Sequence, residues 1–249
     1  MNTLHTLATL SALAGPLLAQ NEPQTLPKVR IELGLGAGTL DHDTDGSNLD
    51  GDTSAGAFRL GFEAFGKSGL GGGVRYEAWT SKDDLFNDAG FNSTEGSTAS
   101  LFAHLSYRLG DEDFAMPLRG GILLHNHHLE DQVTDQDTDF ASVALLTEIA
   151  PEVFLSRGER VSWSLTGGLS LGAGLTRIDS DALANDYDST TVFYGAELGT
   201  RVRIDAIELG LSFVARGHSM SESDTKGGLS VLAYDSTFTG VMLTVGAVF

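Results

Sequence analysis

From residue 29 onward the chain alternates, apolar then charged or small, with a period of two. In VRIELGLGAGTL, residues 29–40, Val29, Ile31, Leu33, Leu35 and Ala37 stand against Arg30, Glu32, Gly34, Gly36 and Gly38. Period two belongs to an extended strand whose faces meet different surroundings. The alternation recurs in AFRLGFEAF, LGGGVRYEAW and ASLFAHLSYRL. Ten strands are predicted, at 28–40, 54–65, 70–80, 98–109, 117–126, 140–154, 161–176, 190–205, 207–217 and 237–249, with eight as the alternative count. No segment shows a sustained helical period.

The connections sort by length. By those boundaries the links after strands one, three, five, seven and nine run to about 13, 17, 13, 13 and 19 residues, and the others are short. A soluble sandwich has no reason to sort its loops in this way. A sheet crossing a membrane does, with short turns on one side and long loops on the other. Charge sorts with length. The five long links hold 21 carboxylates against Lys82, Arg177 and Lys226, which accounts for nearly all of the net charge of −19. That balance argues against nucleic acid, whose phosphates need Lys and Arg. With no cysteine, disulfides and thiolate chemistry are excluded.

The first 19 residues read as a signal peptide, because Leu7 to Leu18 are small and apolar and Ala19 offers a cleavage point. A polar linker, 20–27, follows, and residues 28–249 form the strand-rich body. No stretch reaches the roughly 18 apolar residues of a membrane-spanning helix.

The last strand, TFTGVMLTVGAVF, places Val241, Leu243, Val245, Ala247 and Phe249 on one face. Together with the signal-like start and the ten alternating strands, it resembles the bacterial outer-membrane β-barrel proteins of the small OmpA/OmpX type. The match is at the level of the class. The resemblance implies an all-β, antiparallel, up-and-down transmembrane barrel in the outer membrane, with short periplasmic turns and long extracellular loops. It also implies contact with outer-membrane lipid and with the barrel assembly machinery, the latter through the C-terminal strand and Phe249. Outward aromatics fit, with Tyr107, Trp163 and Phe249 near the short-turn end and Tyr76 and Tyr194 near the other.

By parity the inward face carries Arg30, Arg59, Arg75, Arg108, Arg119, Arg201, Arg203 and Arg216 with Glu32, Glu63, Glu77, Glu148, Glu152, Glu197 and Glu208. Arginine pairs with carboxylates in a planar, bidentate fork and keeps its charge when desolvated. A lattice of ion pairs filling the lumen is expected, with inward glycines leaving room for long side chains. A ten-stranded barrel is only slightly wider than the eight-stranded ones that side chains just fill. A structural or surface-interaction role follows. The alternatives are a narrow porin-like channel for small solutes and, less favoured, a barrel enzyme of the omptin-protease or lipid A-modifying kind.

Metal-binding candidates fall in two places. DHDTDGSNLDGD, residues 41–52, begins like a calcium loop with Asp41, Asp43, Asp45 and Gly46, but Asp52 stands where the bidentate glutamate belongs and strands flank it. The expectation for Asp41, Asp43, Asp45, Asp50 and Asp52 is a solvated acidic surface with weak calcium affinity. His42, His125, His127, His128 and His218 fall near the long-link end and are expected to be solvated rim residues. His125 and His127 share one face of a strand, a spacing suited to zinc or copper, or to a base beside an aspartate. No omptin motif is matched, no catalytic residue is singled out and no cofactor is implied beyond possible calcium.

Overall fold

The computed structural model describes residues 26–46, 50–82, 85–86, 94–111 and 113–249. The predicted signal peptide, 1–19, and most of the predicted linker, 20–27, lie outside the described residues. The strands are β1 Val29–Thr44, β2 Gly51–Phe65, β3 Leu70–Ser81, β4 Thr94–Gly110, β5 Phe114–Asp131, β6 Gln136–Ile149, β7 Glu152–Arg157, β8 Val161–Ser180, β9 Tyr187–Ile204, β10 Ile207–Met220 and β11 Tyr234–Val248.

They close into one antiparallel barrel of ten staves, each bonded to its neighbours in sequence. β6 and β7 share a stave between β5 and β8. The sixth predicted strand, 140–154, is therefore broken at Ala150–Pro151. Pro151 has no N–H for the ladder. The break stays hydrogen-bonded on both sides, with Ala150 N donating to Pro117 O at 3.0 Å and Gly167 N to Pro151 O at 2.8 Å. β1 pairs with β11 from Arg30↔Val248 to Thr44↔Tyr234, so no edge is left open. Closure is what a sheet in hydrocarbon requires.

The strands outrun their prediction. β8 has 20 residues and β5 and β9 have 18 each, whereas a crossing needs about 9–11. The long links shrink to 45–50, 82–93, 132–135, 181–186 and 221–233; the opposite end has 66–69, 111–113, 158–160 and 205–206. Length sorting survives in a weaker form.

The missing strand ends have a physical signature. Within the outward belt, large apolar side chains face out, such as Leu35, Leu105, Leu171, Leu198 and Leu243. Towards the long-link end the polarity of the two faces reverses while the parity holds. On β1, Asp41 and Asp43 point out, and Leu40 and His42 are buried. On β9, Asp188 and Thr190 point out, and Tyr187 and Phe193 are buried. The wall is inside-out where lipid faces it and right-way-round beyond, where water does.

Tyr76, Tyr107, Tyr194 and Phe249 are exposed near the ends of the belt, and Trp163 Nε1 donates to Thr200 Oγ1 at 2.6 Å. Amphipathic rings belong at such interfaces. Phe249 also fastens the seam: its N donates to Val29 O at 3.0 Å, and its O accepts from Lys28 N at 2.8 Å.

Candidate functional site

The lumen is layered. Towards the short-turn end, six arginines and seven glutamates form one connected network. It runs from Glu63 through Arg119, Glu148, Arg75, Glu77, Arg59, Glu32 and Arg201 to Glu152, Arg30 and Glu208. Arg216 ties Glu197 to Glu77 at 2.8 and 3.6 Å.

Four pairs are bidentate. Arg59 grips Glu197 at 3.1 and 2.9 Å, and Arg75 grips Glu148 at 3.1 and 2.7 Å. Arg119 grips Glu63 at 2.7 and 2.8 Å, and Arg30 grips Glu208 at 2.7 and 3.1 Å. Hydroxyls fill remaining acceptor sites: Ser106 Oγ donates to Glu63 at 2.9 Å and Ser164 Oγ to Glu152 at 2.7 Å. Such saturation is what lets ions leave bulk water without titrating. About 120 Å³ of open space remains among these side chains.

Thirteen of the fifteen expected lumen residues join this network. Arg108 does something else: Nη2 donates to Pro27 O at 2.7 Å, and its guanidinium lies 3.8 Å from the Phe65 ring centroid. It pins the entering chain to the short-turn rim. Arg203 is buried opposite Glu208 in the β9–β10 register. The inward glycines make room in two ways. A Cβ at Gly34 would lie 3.2 Å from the Arg59 Cβ and 3.0 Å from Met242 Sδ, so the absence of one admits side chains. A Cβ at Gly38 would meet the Thr239 carbonyl oxygen at 2.1 Å, so there the backbones themselves approach.

Above the ions lies an apolar layer. Leu40, Trp79, Leu85, Phe86 and Phe238 form one cluster, Phe102, Leu123 and Phe193 a second, and Phe140, Ile178, Tyr187 and Tyr234 a third. His42, His125, His127 and His218 are buried among them. This corrects the expectation of solvated rim histidines. All four occupy inward positions, and beyond the lipid belt the inward face is the core. Above them an open vestibule of about 410 Å³ has His42, Phe140 and Tyr234 among its walls.

Among the described residues four histidines meet a hydroxyl or a carboxylate. His104 Nδ1 meets Ser106 Oγ at 2.9 Å in the ion layer, where Ser106 is already committed to Glu63. His218 Nε2 meets Tyr234 Oη at 3.2 Å, and His128 and His125 make the other two pairs. On the outer wall His128 Nδ1 meets Asp139 Oδ1 at 3.0 Å, and Asn126 Nδ2 donates to the same oxygen at 3.0 Å. Among the described residues no hydroxyl is paired with that histidine. Ser100 Oγ lies 2.8 Å from His125 Nδ1, but His125 Nε2 is buried without a partner, so no third group orients the ring.

The calcium-like stretch is divided by the fold. Asp41 and Asp43 lie on β1 facing out, Asp52 on β2 faces out, and Asp50 turns back to accept from Thr44 N at 3.0 Å. Asp41 pairs with Asp52 and Asp43 with Asp235 across the ladder. Glu130 with Asp137 and Asp139 with Asp179 repeat the pattern. Like charges directly opposite destabilise a sheet. The Asp41 carboxyl is pushed up by partial burial and then by Asp52 and Asp50, and that of Asp43 chiefly by Asp50.

A raised carboxyl pKa in the folded state means stability lost as pH rises through it and recovered as pH falls. Asp41→Asn is therefore expected to stabilise the barrel at pH 7 by about 0.2–1 kcal/mol. The gain should shrink in mild acid, where the native carboxyl protonates. Urea midpoints in micelles at the two pH values measure it; a destabilised variant at pH 7 would refute the repulsion.

No protein-family model matches the chain, and no curated protein matches it. Solved structures do. The outer membrane protease OmpT from Escherichia coli is similar with a TM-score of 0.51 at 7% identity, covering 93% of this chain and all of that one. The translocator domain of the autotransporter NalP from Neisseria meningitidis is similar at 0.44 and 14%, covering 98% of each chain. The attachment invasion locus protein Ail of Yersinia pestis is similar at 0.32 and 16%, covering 87% of this chain and 99% of that one. At such identities the likeness is one of fold, that of the outer-membrane β-barrel.

Proposed function

We propose that this outer-membrane β-barrel is a non-catalytic, sealed surface platform, which carries an acidic wall beyond the bilayer for envelope cohesion or contact with a surface partner. The observation that supports this most is the filling of the lumen, ions below and aromatic rings above. In the class pattern the long-link end faces the exterior, and the acidic wall is then the part a partner meets. Lipid is the partner of the apolar belt. The C-terminal strand ending on Phe249 is the segment the assembly machinery would recognise.

The facing carboxylates of the wall suit weak calcium binding, with dissociation constants of about 10⁻⁴–10⁻³ M as in extracellular modules. Calcium bridging to anionic surface sugars is one use of such a wall. The weak geometry for acyl transfer at Ser100–His125 and the outer-wall placement of His128–Asp139 favour a non-catalytic role.

Planar-bilayer recording of the refolded barrel tests the proposal. A correctly folded barrel that stays silent at 1 M salt is expected. Steady, discrete openings would replace this reading with the narrow channel, routed through the remaining space beside Arg119 and Glu148.

A further inference from the structure

The four buried histidines carry an unpaid debt of hydrogen bonds. His42 Nδ1, His125 Nε2, His218 Nδ1 and both nitrogens of His127 are buried without any partner. An unsatisfied buried polar group costs about 1–3 kcal/mol. A layer that keeps five of them together would be stabilised by an occupant that bonds to them. Packing alone would have been served by Phe or Leu, as at the neighbouring Phe140 and Phe193.

The pattern of satisfied nitrogens points to the kind of occupant. His125 has Ser100 Oγ at 2.8 Å on Nδ1, which leaves Nε2 free. His218 has Tyr234 Oη at 3.2 Å on Nε2, which leaves Nδ1 free. One ring nitrogen held by an outer group while the other stays bare is the usual condition of a metal-ligating histidine. Successive rings are spaced accordingly. Centroids are 4.6 Å apart for His125 and His218, 5.0 Å for His127 and His218, and 5.7 Å for His42 and His127. Two imidazoles on one tetrahedral ion, with metal–nitrogen bonds near 2.0 Å, place their centroids about 5 Å apart. As the rings stand, the described residues whose ligand atoms converge are His128, Glu130 and Asp137 and not these histidines, so gathering their nitrogens on one centre takes ring rotation about χ2, a broad torsion in histidine.

We infer that His125, His127 and His218, with His42 from the vestibule side, form a transition-metal site within the barrel. The ion is of the borderline class, zinc or copper(II), since the donors are imidazoles and no carboxylate joins them. The entry path is the vestibule, in whose wall His42 and Tyr234 stand and to which Asp131 contributes a carboxylate. This inference is independent of the sealed-platform reading, because a silent barrel and a conducting one are equally able to hold the ion.

A competing cluster sets the control. On the outer wall His128, Glu130 and Asp137 bring ligand atoms within 4.8 Å of one another. The test is titration of tag-free, refolded full-length barrel with Zn²⁺ and Cu²⁺ by calorimetry, with electron paramagnetic resonance of the copper form. One saturable ion per barrel with several imidazole nitrogens on copper is expected. His127→Gln and His218→Gln should each lose it. Tyr234→Phe and Ser100→Ala, which remove only outer groups, should weaken it about 10–100-fold. His128→Ala should leave it unchanged.

Gel mobility of unheated against heated samples checks that each variant is folded. The metal adds a second readout in the native chain, a rise in melting temperature at saturating zinc. No saturable binding to the folded native barrel would overturn the site. So would binding that vanishes in His128→Ala and survives in folded His127→Gln.

Discussion

Arg59→Met is expected to be among the most damaging single changes in this barrel, costing about 3–5 kcal/mol. Arg59 is buried and pairs with Glu77 at 2.6 Å, Glu197 at 2.9 Å and Glu32 at 3.6 Å. Methionine matches its volume and packs, so the loss is one of charge. Three carboxylates are left with excess negative potential in a low-dielectric lumen, and Arg75, Arg201 and Arg216 only partly cover them. A second change, Glu197→Gln, should restore part of the loss, because it removes one of the stranded charges. The non-additivity of the two is the signature of a network rather than of lost packing. Denaturant unfolding in lipid or micelles measures both. A single-variant loss below about 1 kcal/mol would mean that water already screens the network.

The second large effect lies on the other face of the wall. Leu198 is outward and 70% exposed near the middle of the apolar belt. Leu198→Arg is expected to cost about 2–4 kcal/mol, the range for a charge at the bilayer midplane. Ser54→Arg, on β2 beyond the belt, should cost about 0–1 kcal/mol. There the new cation faces water and the Asp52 carboxylate nearby. Both variants are read by unfolding of the barrel in lipid vesicles. Equal costs at the two positions would mean that the belt does not lie where the exposed apolar side chains put it.

The lipid-facing half of this molecule is legible in the sequence because one physical rule holds along it. Ile31, Leu33 and Leu35 face out while Arg30 and Glu32 face in, so hydrophobicity and parity agree. The register of the ion network follows from parity alone, and Glu148 and Glu152 both point inward despite the break at Pro151 between them. The rule fails where the solvent outside changes from lipid to water. At Leu40 and His42 the inward face becomes the apolar one, and at Asp41 and Asp43 the outward face becomes charged. A reading that follows the apolar side chains sees the pattern stop and assigns loops. Parity continues straight through. Extending it would have carried His42, His125, His127 and His218 to one interior level. What parity cannot supply is the lateral position around the ring. The meeting of His127 with His218 depends on barrel curvature, since their strands are not neighbours in the sheet.

The pairing of β1 with β11 also has a consequence in time. Arg30 and Val248 are bonded partners at the seam but lie at opposite ends of the described chain. Contacts of such long sequence separation form late, because the whole intervening loop must be closed to make them. Until β11 arrives, β1 and β10 each present bare backbone donors and acceptors along an unmatched edge, which water tolerates and hydrocarbon does not. The ring is therefore committed by its last strand, which must satisfy β1 and β10 together, and a chaperone able to shield both open edges would govern whether the cylinder ever enters the membrane.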